Sequence, residues 1–261
     1  GRAASKAISS QEDHAIYMSI RFLSDIKENP QSTKDDICNA EELLEKSLAD
    51  NTYLSEATYL ARLNWWTVEY GLVGIIDNPK IYGAGLLSSV GESYNVIHGD
   101  VKIIPLTLDC INYSYDITEQ QPQLFIAKDF KDLNDVLREY KQQMAYKVGG
   151  YKSMKRGVKS RSVCTFKLNT GLQISGIPIE VLGEEKEEYY KFNGPVQLSY
   201  NNKQLEGHGG DYHSDGFSSP ICNSHIINKL ETTTINERIN LEFDSGINLD
   251  GVTKNKILKN Q

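Results

Sequence analysis

The stretch NWWTVEYGL at residues 64–72 decides how the first half of this chain is interpreted. It closes a helical pattern in which Leu60, Leu63 and Trp66 recur at the spacing of a buried face. One carboxylate, Glu69, follows the paired tryptophans at the same helical spacing. A carboxylate among apolar neighbours either reaches solvent or has a partner that compensates for lost hydration. The simplest interpretation is a solvated glutamate beside two core tryptophans, and a compensated site is the alternative.

Composition bounds the class of protein. The 261 residues are 39% hydrophobic and 24% charged, which fits two globular domains or one large one. The formal net charge of −7 argues against nucleic-acid binding, because no basic excess is available to neutralise phosphates. No apolar run reaches the roughly 18–20 residues of a membrane span, and no signal-peptide pattern precedes the first helix. The four cysteines lie far apart without a CxxC pair, which predicts free thiols in a reducing, cytoplasmic compartment.

Residues 1–150 have a mostly helical pattern. Apolar periodicity predicts a helix over residues 12–27 and another that starts at Ser55, runs to Tyr70 and ends at Gly71. Ser32 or Thr33 can cap a helix between them, and Asp129 can cap a later one. The segments VKIIPL and PQLFIA read as short strands.

Residues 151–261 change from a helical period towards a period of two. The segments 162–176 and 239–251 each read as a strand, a glycine-containing turn and a second strand. Aligning them superposes Gly171 on Gly246, so we expect two related hairpins in one small barrel or sandwich. The basic run YKSMKRGVKSR before them is interpreted as a solvated linker, with a domain boundary near residues 150–160. Because the second copy falls close to the last residue, we also expect that this β-rich domain is truncated.

The segment YGAGLLSSVGE at residues 82–92 first suggests a phosphate-binding loop. Ser88 occupies the third glycine position of the dinucleotide fingerprint, and no buried strand precedes the segment, so that interpretation fails. The segment also lacks the G-x-S-x-G of a nucleophile elbow. The simplest prediction from spacing is a tight turn in which Gly83 and Gly85 adopt unusual backbone angles.

Histidines give one further candidate site. The sequence GHGGDYHSDG places His208, Asp211 and His213 within six residues, a spacing that a loop can fold around a metal ion. Glycine-rich polar loops also carry histidines without any function, and no H-E-x-x-H motif is present. Both interpretations stay open.

Four segments in order carry a family resemblance: ARLNWWTVEYGLVG, PKIYGAGLLSSVGE, KIIPLTLD and YDITEQQPQLFIAKDF. Together they resemble the pterin-dependent aromatic amino acid hydroxylases, in particular the longer bacterial phenylalanine hydroxylases. The resemblance covers residues 1 to about 150, and the β-rich remainder resembles the extra C-terminal region of those bacterial proteins. It implies an α+β chain in which a mostly helical partial catalytic domain precedes a small all-β accessory domain.

The resemblance also implies a chemistry. In this family Fe(II) is held by two histidines and one carboxylate, and iron and tetrahydrobiopterin together activate O2 to hydroxylate an aromatic amino acid, here phenylalanine. Glu69 matches the carboxylate ligand. Trp65 and Tyr70 match walls of the substrate pocket. The remaining matches are a small-residue floor at Gly85, Ser88 and Ser89, a loop brace at Glu92, and pterin neighbours at Ala61 and Asn64, where Asn64 replaces a tyrosine of the animal enzymes.

The family's histidine ligands come from an H-D-x-x-G-H or H-E-x-x-G-H segment that this sequence does not contain. We therefore expect a fragment of the monooxygenase that is inactive by itself and does not retain iron or pterin. We also expect Trp65 and Trp66 to be more exposed than in an intact enzyme, which would favour a homo-oligomer. The alternative hypothesis is a non-catalytic binding or oligomerisation module.

Overall fold

The computed structural model describes residues 1–99, 101–115, 117, 119–183 and 188–256. The chain divides into two units, Gly1–Val148 and Gly149–Gln261. The first combines helices with a four-stranded sheet, and the second combines a larger sheet with two helices and a separate hairpin. The predicted α+β class is confirmed.

The first unit begins with a helical hairpin. A short 3-10 turn, Ala4–Lys6, precedes α1, Gln11–Glu28, and α2, Lys34–Ala49. Ser10 and Thr33 each accept a hydrogen bond from the backbone three residues on, and an aspartate at that position reaches back to complete a capping box. Sequence periodicity therefore located these helices and one of their caps correctly.

The remaining elements of this unit alternate helices and short strands. They are α3 Glu56–Asn64, a π-helical turn Trp65–Glu69, β1 Leu72–Ile75, β2 Asn78–Ile81, α4 Ala84–Ser88, α5 Val90–His98, β3 Lys102–Pro105, a 3-10 turn Leu108–Asn112, β4 Gln123–Ala127, α6 Phe130–Gln143 and α7 Ala145–Val148. The strands pair in the order β2-β1-β4-β3. β4 is parallel to both neighbours and is the most deeply buried strand, since Leu124, Phe125, Ile126 and Ala127 are all buried. Trp66 and Leu72 lie in the same core, so the π-helical turn and the start of β1 are fixed against it.

The second unit starts with α8, Gly150–Ser160, followed by β5 Cys164–Lys167, β6 Leu172–Leu182, β7 Tyr189–Tyr200, β8 Lys203–Gln204, β9 Phe217–Pro220, α9 Ser224–Thr232, β10 Arg238–Glu242 and β11 Asn248–Val252. The interpretation of residues 151–161 as a solvated linker is wrong. These residues form α8, which buries Met154 and Gly157 against Phe166 of β5. Its basic residues occupy the opposite face of an amphipathic helix, which composition alone cannot distinguish from a linker.

Both predicted hairpins are present, but they do not share one barrel or sandwich. β5 and β6 belong to a five-stranded sheet with β7, β8 and β9, whereas β10 and β11 form a two-stranded sheet of their own. The second hairpin packs on α9 through a small separate cluster of Ile226, Leu241 and Phe243.

Candidate functional site

Glu69 lies at the end of the π-helical turn. The Tyr70 backbone N–H donates to the Trp65 carbonyl at 2.8 Å, which closes the wider turn and rotates the residues after α3 away from the α-helical register. Single π-helical turns of this kind are frequent at functional sites. The Glu69 side chain is half-buried, and within the described residues it has no hydrogen-bond or ion-pair partner. It is therefore neither a core residue nor a fully solvated one.

Aromatic rings form a wall beside this carboxylate. Trp65 stacks on Tyr70 with ring centroids 4.6 Å apart and on Tyr115 with centroids 4.3 Å apart. Tyr70 and Trp65 were both predicted as walls, while Tyr115 was not singled out. Its position in the YDITEQQPQ segment carries no periodic signal, and only the folded loop brings it onto Trp65.

Trp66 lies on the other side of the turn and is fully buried. Its indole N–H donates to the Tyr113 carbonyl at 2.9 Å, and its ring packs at an angle on Phe125 of β4. The expectation that Trp66 would be more exposed than in an intact enzyme is wrong, because Trp66 is fully buried in the core of this unit. Apolar exposure near the site instead involves Val68, Leu87 and Val90, whose side chains are 57%, 61% and 86% exposed.

Glycines allow the backbone to approach Glu69 closely. A Cβ atom at Gly83 would lie 2.7 Å from the Glu69 carbonyl carbon and 2.6 Å from the Gly71 nitrogen. A Cβ atom at Gly85 would lie 2.9 Å from the Tyr70 ring. Neither glycine has a positive φ, so the prediction of unusual backbone angles is wrong. These positions need glycine for space rather than for conformation.

The segment after these glycines holds the other predicted floor residues. Ser88 is exposed at the end of α4, and its hydroxyl donates to the Gly85 carbonyl at 2.9 Å. Ser89 caps α5, and its hydroxyl accepts from the Glu92 backbone N–H at 3.4 Å. These local bonds fix the turn between the two helices.

Glu92 is buried and ties α5 to the loop before β4. Its carboxylate oxygens accept from the Gln121 backbone N–H at 3.2 and 3.4 Å. Burial raises the pKa of Glu92, and the hydrogen bond from Gln121 opposes that rise. The carboxylate thus connects α5 to Gln121, and its role as a loop brace stays a prediction.

Gln121 extends this connection to the aromatic wall. Its side-chain oxygen accepts from the Trp65 indole N–H at 3.3 Å, and its side-chain amide donates to the Glu119 carbonyl at 2.9 Å. A continuous path therefore runs from Glu92 through Gln121 to Trp65. Sequence reasoning missed Gln121, because nothing in the polar run EQQPQ distinguishes a buried glutamine from its exposed neighbours.

The surroundings of two tyrosines in this region raise their pKa values. Burial raises the pKa of Tyr70, and the negative charges of Glu92 and Glu69 raise it further, so both carboxylates act on this phenol. Burial raises the pKa of Tyr82 to about 12. The Tyr82 hydroxyl packs over Gly71 and has no hydrogen-bond partner among the described residues.

The predicted pterin neighbours lie on α3. Ala61 and Asn64 are both exposed, at the middle and the end of that helix. Within the described part of the chain, the Asn64 side chain makes no hydrogen bond to the Glu69 region. Their predicted role stays a prediction.

In the loop that contains His208, Asp211 and His213, the two histidines contact each other. His208 Nδ1 and His213 Nε2 lie 3.0 Å apart and share a hydrogen bond. Across the described ranges, no group of three or more histidine, cysteine, aspartate or glutamate side chains is arranged to hold a metal ion. Nor does any described helix combine the length and apolarity that crossing a bilayer requires.

Comparison with known proteins gives a family for the region around Glu69. Residues 46–158 match the model of the biopterin-dependent aromatic amino acid hydroxylases. Bovine phenylalanine-4-hydroxylase is 42% identical over 82 residues, which cover 31% of this chain and 18% of the bovine protein. Bovine tyrosine 3-monooxygenase is 37% identical over 86 residues, covering 33% and 18%. The phenylalanine-4-hydroxylase of Vibrio cholerae is 37% identical over 83 residues, covering 30% and 28%.

A solved structure of Chromobacterium violaceum phenylalanine hydroxylase, with bound iron(III) and 7,8-dihydrobiopterin, is 28% identical. It matches with a TM-score of 0.31 over 41% of this chain and 40% of that chain. The chain thus spans less than a third of the length of the curated relatives named above. The resemblance predicted from the four segments is confirmed: residues 46–158 match the biopterin-dependent aromatic amino acid hydroxylase family.

Proposed function

We propose that this chain is part of an Fe(II)- and tetrahydrobiopterin-dependent monooxygenase that hydroxylates phenylalanine, and that it contributes one metal ligand and part of the substrate pocket. The observation that carries the proposal is the half-buried carboxylate of Glu69. It has no hydrogen-bond or ion-pair partner among the described residues and lies one residue from the Trp65–Tyr70 stack. An anion in such a position is stabilised when a cation binds beside it.

Glu69 fits the carboxylate position of an iron site. A carboxylate is one of the three protein ligands in the two-histidine, one-carboxylate arrangement of non-haem Fe(II) oxygenases, and Glu69 would supply it. The described residues supply no further ligands to complete a group of three, so the two histidines would come from other residues of the protein. When bound, iron and the reduced pterin would supply the activation of O2, which no side chain of this chain can perform.

The chain's own residues would bind and orient the amino acid. Trp65 already stacks on Tyr70 and on Tyr115, so an aromatic ring would pack against the edge of this stack, an arrangement that aromatic pairs also favour. Gly85 lets the Tyr70 ring pack directly against its backbone, and the hydroxyls of Ser88 and Ser89, which lie on the same segment, would offer hydrogen bonds to polar groups of the substrate. Glu92 and Gln121 would keep Trp65 in place, because Gln121 accepts from its indole N–H.

Phenylalanine is proposed over tyrosine as the substrate on the names of the relatives. Six of the vertebrate, worm and amoeba matches are phenylalanine-4-hydroxylases, and one is a tyrosine 3-monooxygenase. Both reactions use an aromatic amino acid, so the substrate class is more strongly supported than the particular member.

The test compares this chain with the longest protein that its source gene encodes. Each is incubated with phenylalanine, tetrahydrobiopterin, Fe(II) and O2, and tyrosine is measured by chromatography. We expect pterin-dependent tyrosine formation by the longer protein and none by the 261-residue chain.

Two results would contradict the proposal in different ways. Tyrosine formation by the 261-residue chain would show that its residues complete the site without other ligands. A longer protein that binds iron and converts neither phenylalanine, tyrosine nor tryptophan would show that the pocket does not serve an aromatic hydroxylase.

A further inference from the structure

Two histidines of the second unit face each other in the segment between β8 and β9, the histidine loop, residues 205–216. His208 Nδ1 and His213 Nε2 lie 3.0 Å apart, and the two rings are within 18° of parallel. The ring centroids are 5.3 Å apart, a separation at which two ring nitrogens approach this closely only when both lie on the line between the rings. The lone pair of one nitrogen therefore points at the N–H of the other, as a linear hydrogen bond requires.

This head-on arrangement has the dimensions of a shared proton rather than of a shared metal ion. Zinc binds imidazole nitrogens at about 2.0–2.1 Å, so an ion bonded to both nitrogens would lie off the line between them and away from both lone pairs. The described residues also place no group of three metal-binding side chains around the pair. A proton fits, because one neutral imidazole donates and the other accepts.

The same two residues attach the histidine loop to β7. The Val196 backbone N–H donates to the His213 carbonyl at 3.1 Å, and the Leu198 backbone N–H donates to the His208 carbonyl at 3.0 Å. These two bonds continue the edge of β7 between the stretch that pairs with β9 and the stretch that pairs with β8. The contact between the two imidazoles therefore fixes the two carbonyls that hold the loop on the strand.

The rings that surround the pair are aromatic and uncharged. Tyr212 lies edge-on to both histidines, with centroids 5.7 Å from His208 and 4.9 Å from His213. Phe217 of β9 lies edge-on to His213 with centroids 5.4 Å apart. These contacts shield His213 from water on two sides.

Carboxylates do not compensate a positive charge on this pair. The acidic residues of the loop, Glu206, Asp211 and Asp215, are all exposed, and within the described ranges none of them forms a hydrogen bond or an ion pair with either histidine. The charged residues of the adjoining strands are Lys191 of β7 and Lys203 of β8, which are exposed cations. A second positive charge on the pair would therefore meet repulsion without a neighbouring anion.

The number of protons on the pair decides whether its hydrogen bond exists. With both rings neutral or with one protonated, one facing nitrogen remains an acceptor. With both rings protonated, two N–H groups and two positive charges face each other. Burial and the charge of His208 lower the pKa of His213, and the two titrations are coupled. The folded loop thus binds fewer protons than the unfolded one, so its stability is complete above about pH 6.5 and is lost as the pH falls below that value.

We propose that His208 and His213 form a pH-sensitive closure, which holds the histidine loop on β7 at neutral pH and releases it when both imidazoles are protonated. Release separates the two histidine carbonyls from the N–H groups of Val196 and Leu198. This part of the β7 edge then becomes accessible to solvent, while the pairing of β7 with β6 is retained.

The test measures hydrogen exchange of the Val196 and Leu198 amides by NMR on the isotope-labelled full chain, from about pH 7.5 to about pH 5.0. After correction for the pH dependence of intrinsic exchange, the protection of both amides should fall at least tenfold over this range. Amides in the paired stretch of β5 and β6 should keep their protection, which distinguishes release of the loop from unfolding of the sheet.

A double variant removes the titration and keeps hydrogen-bonding groups in place. His208→Asn and His213→Gln put amide groups near the positions of Nδ1 and Nε2, and amides do not titrate in this range. Their Val196 and Leu198 amides should stay protected at both ends of the pH range. His225→Gln removes an exposed histidine of α9 and is the matched control, which should lose protection as the parent does.

Two results would overturn the proposal. Unchanged protection of both amides in the parent chain down to about pH 5.0 would do so whatever the variants show. An equal loss of protection in the double variant would also do so, because release would then need no imidazole.

Discussion

The glycine at position 83 offers a direct test of how tightly the site is packed. An added methyl group in Gly83→Ala would lie 2.7 Å from the Glu69 carbonyl carbon and 2.6 Å from the Gly71 nitrogen. The nearest atoms belong to backbone rather than to a flexible side chain. The variant can therefore be accommodated only if the end of the π-helical turn moves away from α4.

The displacement needed sets the size of the effect. Ordinary contact at such a Cβ begins at 3.4 Å, so the backbone at Glu69 must move by at least about 0.7 Å, and by more at its carbonyl oxygen, which is the nearest atom. Overpacking of this kind costs typically about 1–3 kcal/mol of folding free energy. Urea unfolding followed by tryptophan fluorescence measures this loss, and the native emission should change as well, because Trp65 opens the same turn.

Gly91→Ala is the matched control. Gly91 is exposed in α5, and the nearest atom to its Cβ position is the flexible side-chain nitrogen of Gln120 at 3.1 Å. Alanine is favoured over glycine in a helix by about 1 kcal/mol, so this variant should be neutral or slightly more stable than the parent. Equal unfolding free energies for the two variants would refute the close packing of Gly83 on Glu69.

Three further predictions concern other parts of the chain. Asp13→Ala should lower the unfolding free energy by about 1–3 kcal/mol in urea titrations, because it leaves the Ser10 N–H and the Ser55 hydroxyl without the acceptor that they share at 2.7 and 2.5 Å. Burial raises the pKa of Glu92 in the folded state, so the contribution of this group to the unfolding free energy should fall as pH rises from about 4.3 through the raised pKa. Glu92→Gln should flatten that part of the pH profile of the unfolding free energy. An unchanged profile in the variant would contradict the burial of the charge. Limited proteolysis should cut at Gly149 rather than within α8, whose Met154 is buried, and should release a folded C-terminal piece; a first cut inside α8 would contradict its packing.

Local sequence signals predicted where the helices lie better than which of their faces are buried. Periodicity located α1 and a capping residue located the start of α2, yet the apolar Ile20 and Phe22 of α1 are 38% and 46% exposed. The contact between these helices includes a hydrogen bond between Ser19 and Ser47 at 2.8 Å. Periodicity identifies an amphipathic helix, but which face is buried depends on the partner that tertiary structure supplies.

At the candidate site, the motif segments identified Glu69, Trp65 and Tyr70 but not the contacts that hold them. Tyr115 and Gln121 reach Trp65 from a segment more than forty positions away along the chain, and no local pattern encodes that approach. The glycines at 83 and 85 were recognised as special for the wrong reason, because a Cβ clash with a neighbouring turn cannot be read from sequence. The repeated hairpin, in contrast, could be predicted, since its turn glycines recur at matching positions.

The most direct test of the central claim is the iron stoichiometry of the longest protein encoded by the source gene, with Glu69→Gln compared with Glu45→Gln. Glutamine keeps the size of the side chain and removes the anionic oxygen, so iron affinity should fall about 10–100-fold with little change in folding. Glu45 is exposed on α2, and its glutamine variant should bind iron like the parent. Normal iron occupancy in Glu69→Gln would contradict the assignment of Glu69 as the metal carboxylate.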